Sequence, residues 1–132
     1  MSARLATLCG LLLCALPLAG QRVHEVRLRH PAPEEFRFAP ARLVVGGGDV
    51  IEFTVESGGP YVIGFEPADL APADQARLQE ALPASTGALR GPVLAGPGAS
   101  FRVRLPGLPA GRYRFVSVTH AAYRMQGELT VR

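Results

Sequence analysis

Three side chains that could do chemistry lie close together near the end of the sequence: Ser117, His120 and Met125. A hydroxyl three residues from an imidazole could form a nucleophile and its base. An imidazole and a thioether are instead side chains that can ligate a soft metal. Each kind of site needs further partners, so the elements that position these three residues decide between the two chemistries.

The two cysteines, Cys9 and Cys14, both fall within the first 20 residues. In that stretch one arginine precedes an apolar run that extends to about Leu18 and ends in small residues, a pattern typical of a secretory signal peptide. A membrane anchor is an alternative, but it would need roughly 20 apolar residues, and Pro17 interrupts the run. A lipoprotein is a third alternative, but it would be cleaved before Cys14, where Leu13 replaces the expected small residue.

We therefore predict a signal peptide over residues 1–20 and an exported domain, periplasmic or secreted, over residues 21–132. Cleavage would leave no membrane span and no cysteine in the mature chain. Such a chain would have no disulfide and no thiolate nucleophile. Its strongest sulfur ligand for a metal would be a methionine thioether.

The composition limits the class of protein. Of the 132 residues, 48% are hydrophobic and 19% charged, with 15 Gly and 12 Pro. This length supports one domain core, and the composition excludes disorder and a coiled coil. All 14 basic residues are arginines, and against 11 acids they give a net charge of +3, or +2 without Arg4. So small a charge argues against nucleic acid as a partner.

Apolar and polar residues alternate with period two in many short segments, which predicts strands. These segments are 26–29, 36–38, 43–45, 50–56, 61–65, 101–105, 112–117 and 127–131, and glycines and prolines separate them. Residues 72–82 combine an early proline with helix formers, which predicts a short helix. Residues 83–100 are predicted as a long loop. The fold class is therefore all-β: an antiparallel Greek-key β-sandwich of seven or eight strands with one short helical insert.

Three segments together resemble the plastocyanin-like cupredoxins, the blue copper family. In the family an aromatic-rich strand ends in Cys, followed by His, Met and a glycine that opens the last strand; here the same spacing is Ser117, His120, Met125 and Gly127. Two further matches are the Phe-x-Pro segment at 38–40 with Gly-Asp at 48–49, and Gly-Pro at 59–60. The similarity extends from about residue 26 to 131 and implies the cupredoxin β-sandwich.

The resemblance also implies which positions held the copper ligands. Tyr61 stands at the first His position and Ser117 at the Cys position, while His120 and Met125 are retained. A blue copper site needs two imidazoles and a thiolate with a weak axial thioether. A phenol must lose a proton with a pKa near 10 to bind a metal well. We therefore expect no cofactor, and copper only at an altered site that uses His120 and Met125.

Other roles for these residues follow from their positions. Ser117 shares parity with Tyr113 and Phe115 and so points inward, where a hydroxyl needs a hydrogen-bond partner. We expect Tyr61, Ser117 and His120 to form a hydrogen-bonded polar cluster in the former copper pocket. Met125 is expected to fill a gap in the core, and His120 without metal is expected at the rim of the sandwich.

A serine hydrolase built on Ser117 and His120 would need a third group to orient the imidazole and an oxyanion hole. No acid is near in sequence, and Asp49 or Asp69 could approach only through the fold. We therefore predict that the chain is not an enzyme. His24 and His30 flank the first strand about 20 Å apart and cannot chelate one ion together.

Several arginines occupy outward positions of alternating strands. If their strands are neighbours in one sheet, they would form a basic stripe that fits an acidic protein partner or an anionic surface. They are Arg27, Arg29, Arg102, Arg104, Arg112 and Arg114.

These observations predict an exported cupredoxin-like domain that serves as a copper-free binding or interaction module. The alternative is copper binding, for electron transfer or copper handling, at the altered site. Whether the segment 83–100 covers the former copper pocket is left open.

Overall fold

Alternating apolar side chains from nine strands meet between two sheets. The structure is a computed structural model that describes residues 21–132, so the predicted signal peptide over 1–20 lies outside the described residues. Residues 21–132 form β1 (Val23–Ala32), β2 (Glu35–Ala39), β3 (Arg42–Val45), β4 (Val50–Val55), β5 (Tyr61–Phe65), β6 (Arg90–Leu94), β7 (Ser100–Arg104), β8 (Gly111–Ser117) and β9 (Gln126–Val131). One α-helix, α1 (Pro72–Ala81), and two 3-10 helices, Pro67–Asp69 and Val118–Tyr123, complete the described elements.

The strands divide into a first sheet of order β2-β1-β4-β7 and a second sheet of order β3-β9-β8-β5-β6. The all-β sandwich predicted from the sequence is confirmed, and so is its helical insert, since α1 spans ten of the predicted residues. None of the helices in the described range is long and apolar enough to cross a bilayer.

Two details of the strand prediction were wrong. The segment 83–100 is not all loop, because β6 pairs with β5 as the outer strand of the second sheet. Its residues include a glycine and a proline, which weaken the sequence signal but are tolerated in an edge strand. The pairing is also not entirely antiparallel: β1 with β4, and β3 with β9, run parallel. The chain crosses between the sheets before each of these pairs forms, and period-two alternation is the same for both directions.

Aromatic side chains join the two sheets at the centre. Phe115 of the second sheet is fully buried. Its ring meets those of Phe38 and Phe53 from the first sheet edge-on, with centroids 4.8 and 5.5 Å apart. Such edge-to-face contacts add to the stabilisation from burying the rings. The sandwich is therefore held together directly beneath the end of β8, where Ser117 lies.

The turn at 46–49 organises one end of the sandwich. Asp49 is buried there, and its carboxylate accepts hydrogen bonds from the backbone N–H groups of Arg22 at 3.1 Å and Gly46 at 2.9 Å, while His24 Nε2 lies 2.9 Å away. Burial alone would raise the pKa of Asp49, but the hydrogen bonds from Gly46, His24 and Arg22 lower it below its ordinary value. This end, the Asp49 end, lies opposite the end of the sandwich that carries His120.

The predicted basic stripe does not form as one face. Arg27, Arg29, Arg102 and Arg104 lie on strands of the first sheet, but Arg112 and Arg114 lie on β8 in the second sheet. Most of these guanidinium groups also meet acids. The ion pairs are Arg27 with Glu25 and Glu56, Arg29 with Glu56, Arg102 with Glu52, and Arg114 with Asp69. An acidic partner for this set stays a prediction.

Candidate functional site

The end of β8 and the 3-10 helix after it position the residues singled out by their chemistry. Ser117 is the last residue of β8 and is fully buried, and His120 lies in the 3-10 helix Val118–Tyr123. Met125 precedes β9, and its carbonyl accepts a hydrogen bond from the Ser117 N–H at 3.0 Å. β5, the neighbour of β8, begins with Tyr61 beside them. The fold therefore brings all four former ligand positions to one end of the second sheet.

Ser117, Thr119 and His120 form a hydrogen-bonded group that we call the Ser–Thr–His cluster. Ser117 Oγ lies 3.2 Å from His120 Nδ1 and 3.2 Å from Thr119 Oγ1. Thr119 Oγ1 lies 2.9 Å from the same Nδ1 and donates to the carbonyl of Pro60 at 3.1 Å. The predicted contact between Ser117 and His120 is confirmed, and Thr119 is a member that the sequence analysis missed.

The Pro60 carbonyl determines how the hydroxyl and imidazole protons of the Ser–Thr–His cluster are arranged. A carbonyl can only accept, so the single hydroxyl proton of Thr119 points to Pro60. Thr119 is then available to His120 only as an acceptor, so we assign a proton to Nδ1 of the imidazole. Ser117 completes the group by donating to Thr119. In the neutral ring this arrangement leaves the lone pair on Nε2 of His120.

Tyr61 takes a different role from the one expected. Its ring is fully buried, as the cluster hypothesis required, and its centroid lies 4.9 Å from that of His120. Its hydroxyl, however, donates to the backbone carbonyl of Ser57 at 2.7 Å and is not hydrogen-bonded to Ser117 or His120. Burial raises the pKa of Tyr61 above its ordinary value. Tyr61 therefore contributes a neutral ring wall to the site.

Aromatic rings from the first sheet and from the 3-10 helix that carries His120 complete the surroundings of its imidazole. Phe36 stacks on His120 with centroids 4.0 Å apart and on His30 with centroids 4.1 Å apart. Two rings stacked this closely on a third must occupy its opposite faces, so Phe36 lies between the imidazoles. Tyr123 flanks Phe36 at 4.8 Å and is 47% exposed. The sequence carried no signal for this contact, because Phe36 comes from the other sheet.

The remaining predicted residues lie elsewhere or have other surroundings. His24 contacts Asp49 at the opposite end from His30, so the two imidazoles do not share a site. Met125 has only 1% of its surface exposed and belongs to the hydrophobic core. The segment 83–100 comes near the site at Ala95, whose carbonyl lies against Gly59. The rings around His120 come instead from Phe36, Tyr61 and Tyr123.

A hydrolase built on Ser117 is not supported by this geometry. Its hydroxyl is fully buried and faces Thr119 and His120. The two acids that could have oriented the imidazole are bound elsewhere, Asp49 to His24 and Asp69 to Arg114. A nucleophile needs access to substrate and a base oriented by a third group.

The donor set does not fit a type 1 copper ion. A type 1 site needs two imidazoles and a thiolate, whereas the corresponding positions here offer one imidazole, that of His120, and the hydroxyls of Ser117 and Tyr61. The Nδ1 atom faces the hydroxyls of Thr119 and Ser117, and the Tyr61 hydroxyl is directed to the Ser57 carbonyl. Within residues 21–132 there is also no group of three or more His, Cys, Asp or Glu side chains arranged to hold a metal.

The surroundings of His120 perturb its titration. Burial lowers the pKa of His120 below its ordinary value, and the nearby His30 lowers it further through charge repulsion. The neutral imidazole is therefore the favoured form in the folded protein.

We expect this shift to make the stability of the protein depend on pH. Because the pKa of folded His120 lies below the ordinary value of about 6.5, the unfolded chain binds the proton first as the pH falls. The free energy of unfolding should be greatest above about pH 6.5 and should decline as the pH falls toward the folded pKa. Urea unfolding at several pH values checks this, with His120→Gln as the variant that should flatten the profile. An equally steep decline in His120→Gln would show that another group causes it.

No protein-family model matches the sequence. Solved structures do match. The oxidised plastocyanin of the fern Dryopteris crassirhizoma is 25% identical and covers 82% of this chain and 99% of its own, with a TM-score of 0.64. The auracyanin of the photosynthetic bacterium Roseiflexus castenholzii is 20% identical over 84% of this chain and 96% of its own, with a TM-score of 0.53. An amicyanin in its reduced Cu(I) form is 15% identical over 83% of this chain and 82% of its own, with a TM-score of 0.54.

Proposed function

Because the chain has a plastocyanin-like cupredoxin fold, we propose that it is a copper-free cupredoxin domain that serves as a binding or interaction module. The fold is the scaffold that similar proteins use for copper, as the Cu(I) form of the amicyanin illustrates. What differs here is the chemistry at the ligand positions. The proposal therefore rests on side chains rather than on the architecture.

The observation that carries the proposal is the Ser–Thr–His cluster. Nδ1 of His120 faces two hydroxyls, at 2.9 and 3.2 Å, so a metal at this nitrogen would have to displace its proton and break these hydrogen bonds. Ser117 supplies no thiolate, so the strong copper–sulfur bond of a blue site cannot form. The raised pKa of Tyr61 keeps its phenol protonated and makes it a poor ligand. Electron transfer through a type 1 site is therefore not expected.

One feature supports copper handling as a second candidate. In the described range nothing is hydrogen-bonded to Nε2 of His120, which is the nitrogen left with a lone pair. A soft ion such as Cu(I) could bind there, with other donors supplied by solvent or by a partner. Met125 is a less accessible donor, because its side chain is buried in the core.

Export is part of the proposal and rests on the apolar stretch within residues 1–20. The domain has no cysteine after Cys14, which suits an oxidising compartment.

The proposal is tested by titrating residues 21–132 with Cu(II) and with Cu(I). This segment contains all nine strands and the core between them, so it can be studied alone. We expect no stoichiometric binding beyond that of a His120→Ala variant, and no intense visible absorption. Stoichiometric Cu(I) binding that disappears in His120→Ala would instead establish the copper-handling candidate.

A further inference from the structure

The arginines of this chain fall into two groups, those that form ion pairs with carboxylates and those that do not. Along the strands, guanidinium groups such as those of Arg27, Arg102 and Arg114 meet carboxylates within 3.3 Å. At the Asp49 end, four exposed arginines have no acid partner among residues 21–132. We call this group the basic end; it consists of Arg22, Arg104, Arg112 and Arg132.

Backbone pairing gathers the four arginines at one end of the sandwich. Arg22 precedes β1, and its carbonyl accepts from Val50 N–H at 2.7 Å. Arg104, the last residue of β7, pairs with the same Val50. These contacts place Arg22 and Arg104 on either side of the first residue of β4.

The other two arginines reach this end from the second sheet. The N–H of Arg132 donates to the Val45 carbonyl at 3.1 Å, just before the 46–49 turn. Arg112 pairs with Thr130 of β9, which lies two residues before Arg132 in the sequence. The strands of both sheets therefore deliver cationic side chains to the same end.

Asp49, the acid of the 46–49 turn, does not offset their charge. The carboxylate of Asp49 is 4% exposed and is occupied by His24 and two backbone N–H groups. Arg22 and Arg132 border a cavity of about 280 Å³ together with His24. The chain from 21 to 132 carries only 13 arginines against 11 acids, or +2. Four unpaired arginines are thus gathered at one end, while the other three exposed arginines without an acid partner in the described range, Arg42, Arg90 and Arg124, lie away from it.

Apolar side chains accompany the charge. Val23, next to Arg22, is 54% exposed, and Val44, which lines the same cavity as Arg132, is 50% exposed. Arginines combined with exposed apolar residues are typical of surfaces that meet lipid headgroups.

We propose that the basic end binds the surface of an anionic phospholipid membrane. Phosphate groups of the lipid would meet the guanidinium groups, which present paired N–H donors suited to phosphate. Val23 and Val44 would contact the boundary of the acyl region. Bound in this way, the domain directs its His120 end away from the bilayer. The inference depends on the fold and its charge distribution and not on whether copper binds.

The test is sedimentation of residues 21–132 with vesicles of phosphatidylcholine alone and of phosphatidylcholine mixed with phosphatidylglycerol. We expect binding to the mixed vesicles only, weakening as salt is added because exposed charges are screened. A variant that replaces all four arginines by glutamine should bind at least about tenfold more weakly. Its substitutions are Arg22→Gln, Arg104→Gln, Arg112→Gln and Arg132→Gln.

A control variant with the same net charge distinguishes binding by the basic end from a general attraction of positive charge to the anionic vesicles. It removes four arginines located away from the basic end and should bind within about twofold of the unmodified chain. Its substitutions are Arg37→Gln, Arg42→Gln, Arg90→Gln and Arg124→Gln. The proposal is overturned if mixed vesicles are not preferred, or if both variants lose binding equally. Binding by the basic end to an acidic polypeptide, but not to vesicles, would also overturn it and indicate a protein partner.

Discussion

A Tyr61→His/Ser117→Cys double variant should bind one Cu(II) and acquire the intense visible absorption of a copper–thiolate bond. The double variant supplies the second imidazole and the thiolate that a blue copper site requires. His120 and Met125 already occupy the corresponding positions beside Ser117, since Met125 pairs with it through the backbone and His120 lies 3.2 Å away. The unmodified protein should show no such band.

We expect the double variant to bind copper because the structure around the site would need to change only slightly. The separation between Ser117 Oγ and His120 Nδ1 is only a few tenths of an ångström below the spacing of about 3.5 Å for donors on one metal. Loss of the Ser117 hydroxyl removes its contact with Thr119, and copper would replace the Nδ1 proton. The substitution at Tyr61 releases the hydroxyl that donates to Ser57. Each step exchanges a local hydrogen bond for a metal bond.

Absorption, metal content and electron paramagnetic resonance of the double variant check this prediction. Each single substitution should leave the band weak or absent, because each lacks one strong ligand. Adding His120→Ala to the double variant should abolish it. A folded double variant that binds no copper would show that the two replaced side chains are not what separates this protein from a copper carrier.

The second large effect is expected in the core beneath the site. Phe115→Ala should lower the free energy of unfolding by about 3 to 5 kcal/mol, because it empties a fully buried ring position between the sheets. Phe115 contacts Phe38 and Phe53 across the sandwich. Urea unfolding measures the loss. Tyr123→Ala, which truncates a half-exposed ring, serves as the control and should cost about 1 kcal/mol.

Gly127 provides a second measurement of the same packing. It pairs directly with Phe115, and a Cβ at this position would overlap the Phe115 ring. Gly127→Ala should therefore cost about 1 to 3 kcal/mol in the unmodified protein and less when Phe115 is already alanine. Equal costs in both backgrounds would contradict the contact.

Local patterns in the sequence were sufficient for most strands and for α1. Period-two alternation located eight of the nine strands, since each places apolar residues between the sheets. β6 was missed because Gly91 and Pro92 stand in a strand of five residues. The parallel pairing of β1 with β4 could not be predicted from alternation, which carries no information on direction.

Contacts within the site could be predicted between residues that are close in sequence. Contacts between residues that only the tertiary structure brings together could not. The contact between Ser117 and His120 followed from their spacing and the inward parity of Ser117. The position of Phe36 between His30 and His120 depends on how the two sheets are superposed. The direction of the Tyr61 hydroxyl depends on a backbone carbonyl that no side-chain pattern reveals.

The same limit applies to the charges. Outward parity identified the arginines of β1, β7 and β8, but it could not assign those strands to different sheets. Nor could it predict which guanidinium groups meet carboxylates and which are left at the basic end. Both outcomes depend on strand order.

The most direct test of the central claim is the protonation of His120, observed by nitrogen–proton correlation of its imidazole ring in residues 21–132 before and after one equivalent of Cu(I). We predict a proton on Nδ1, hydrogen-bonded to Thr119 and Ser117, and ring signals that Cu(I) leaves unchanged. Loss of the Nδ1 proton with a shift of that nitrogen on adding Cu(I) would contradict the account, because it would show that the cluster opens to hold copper.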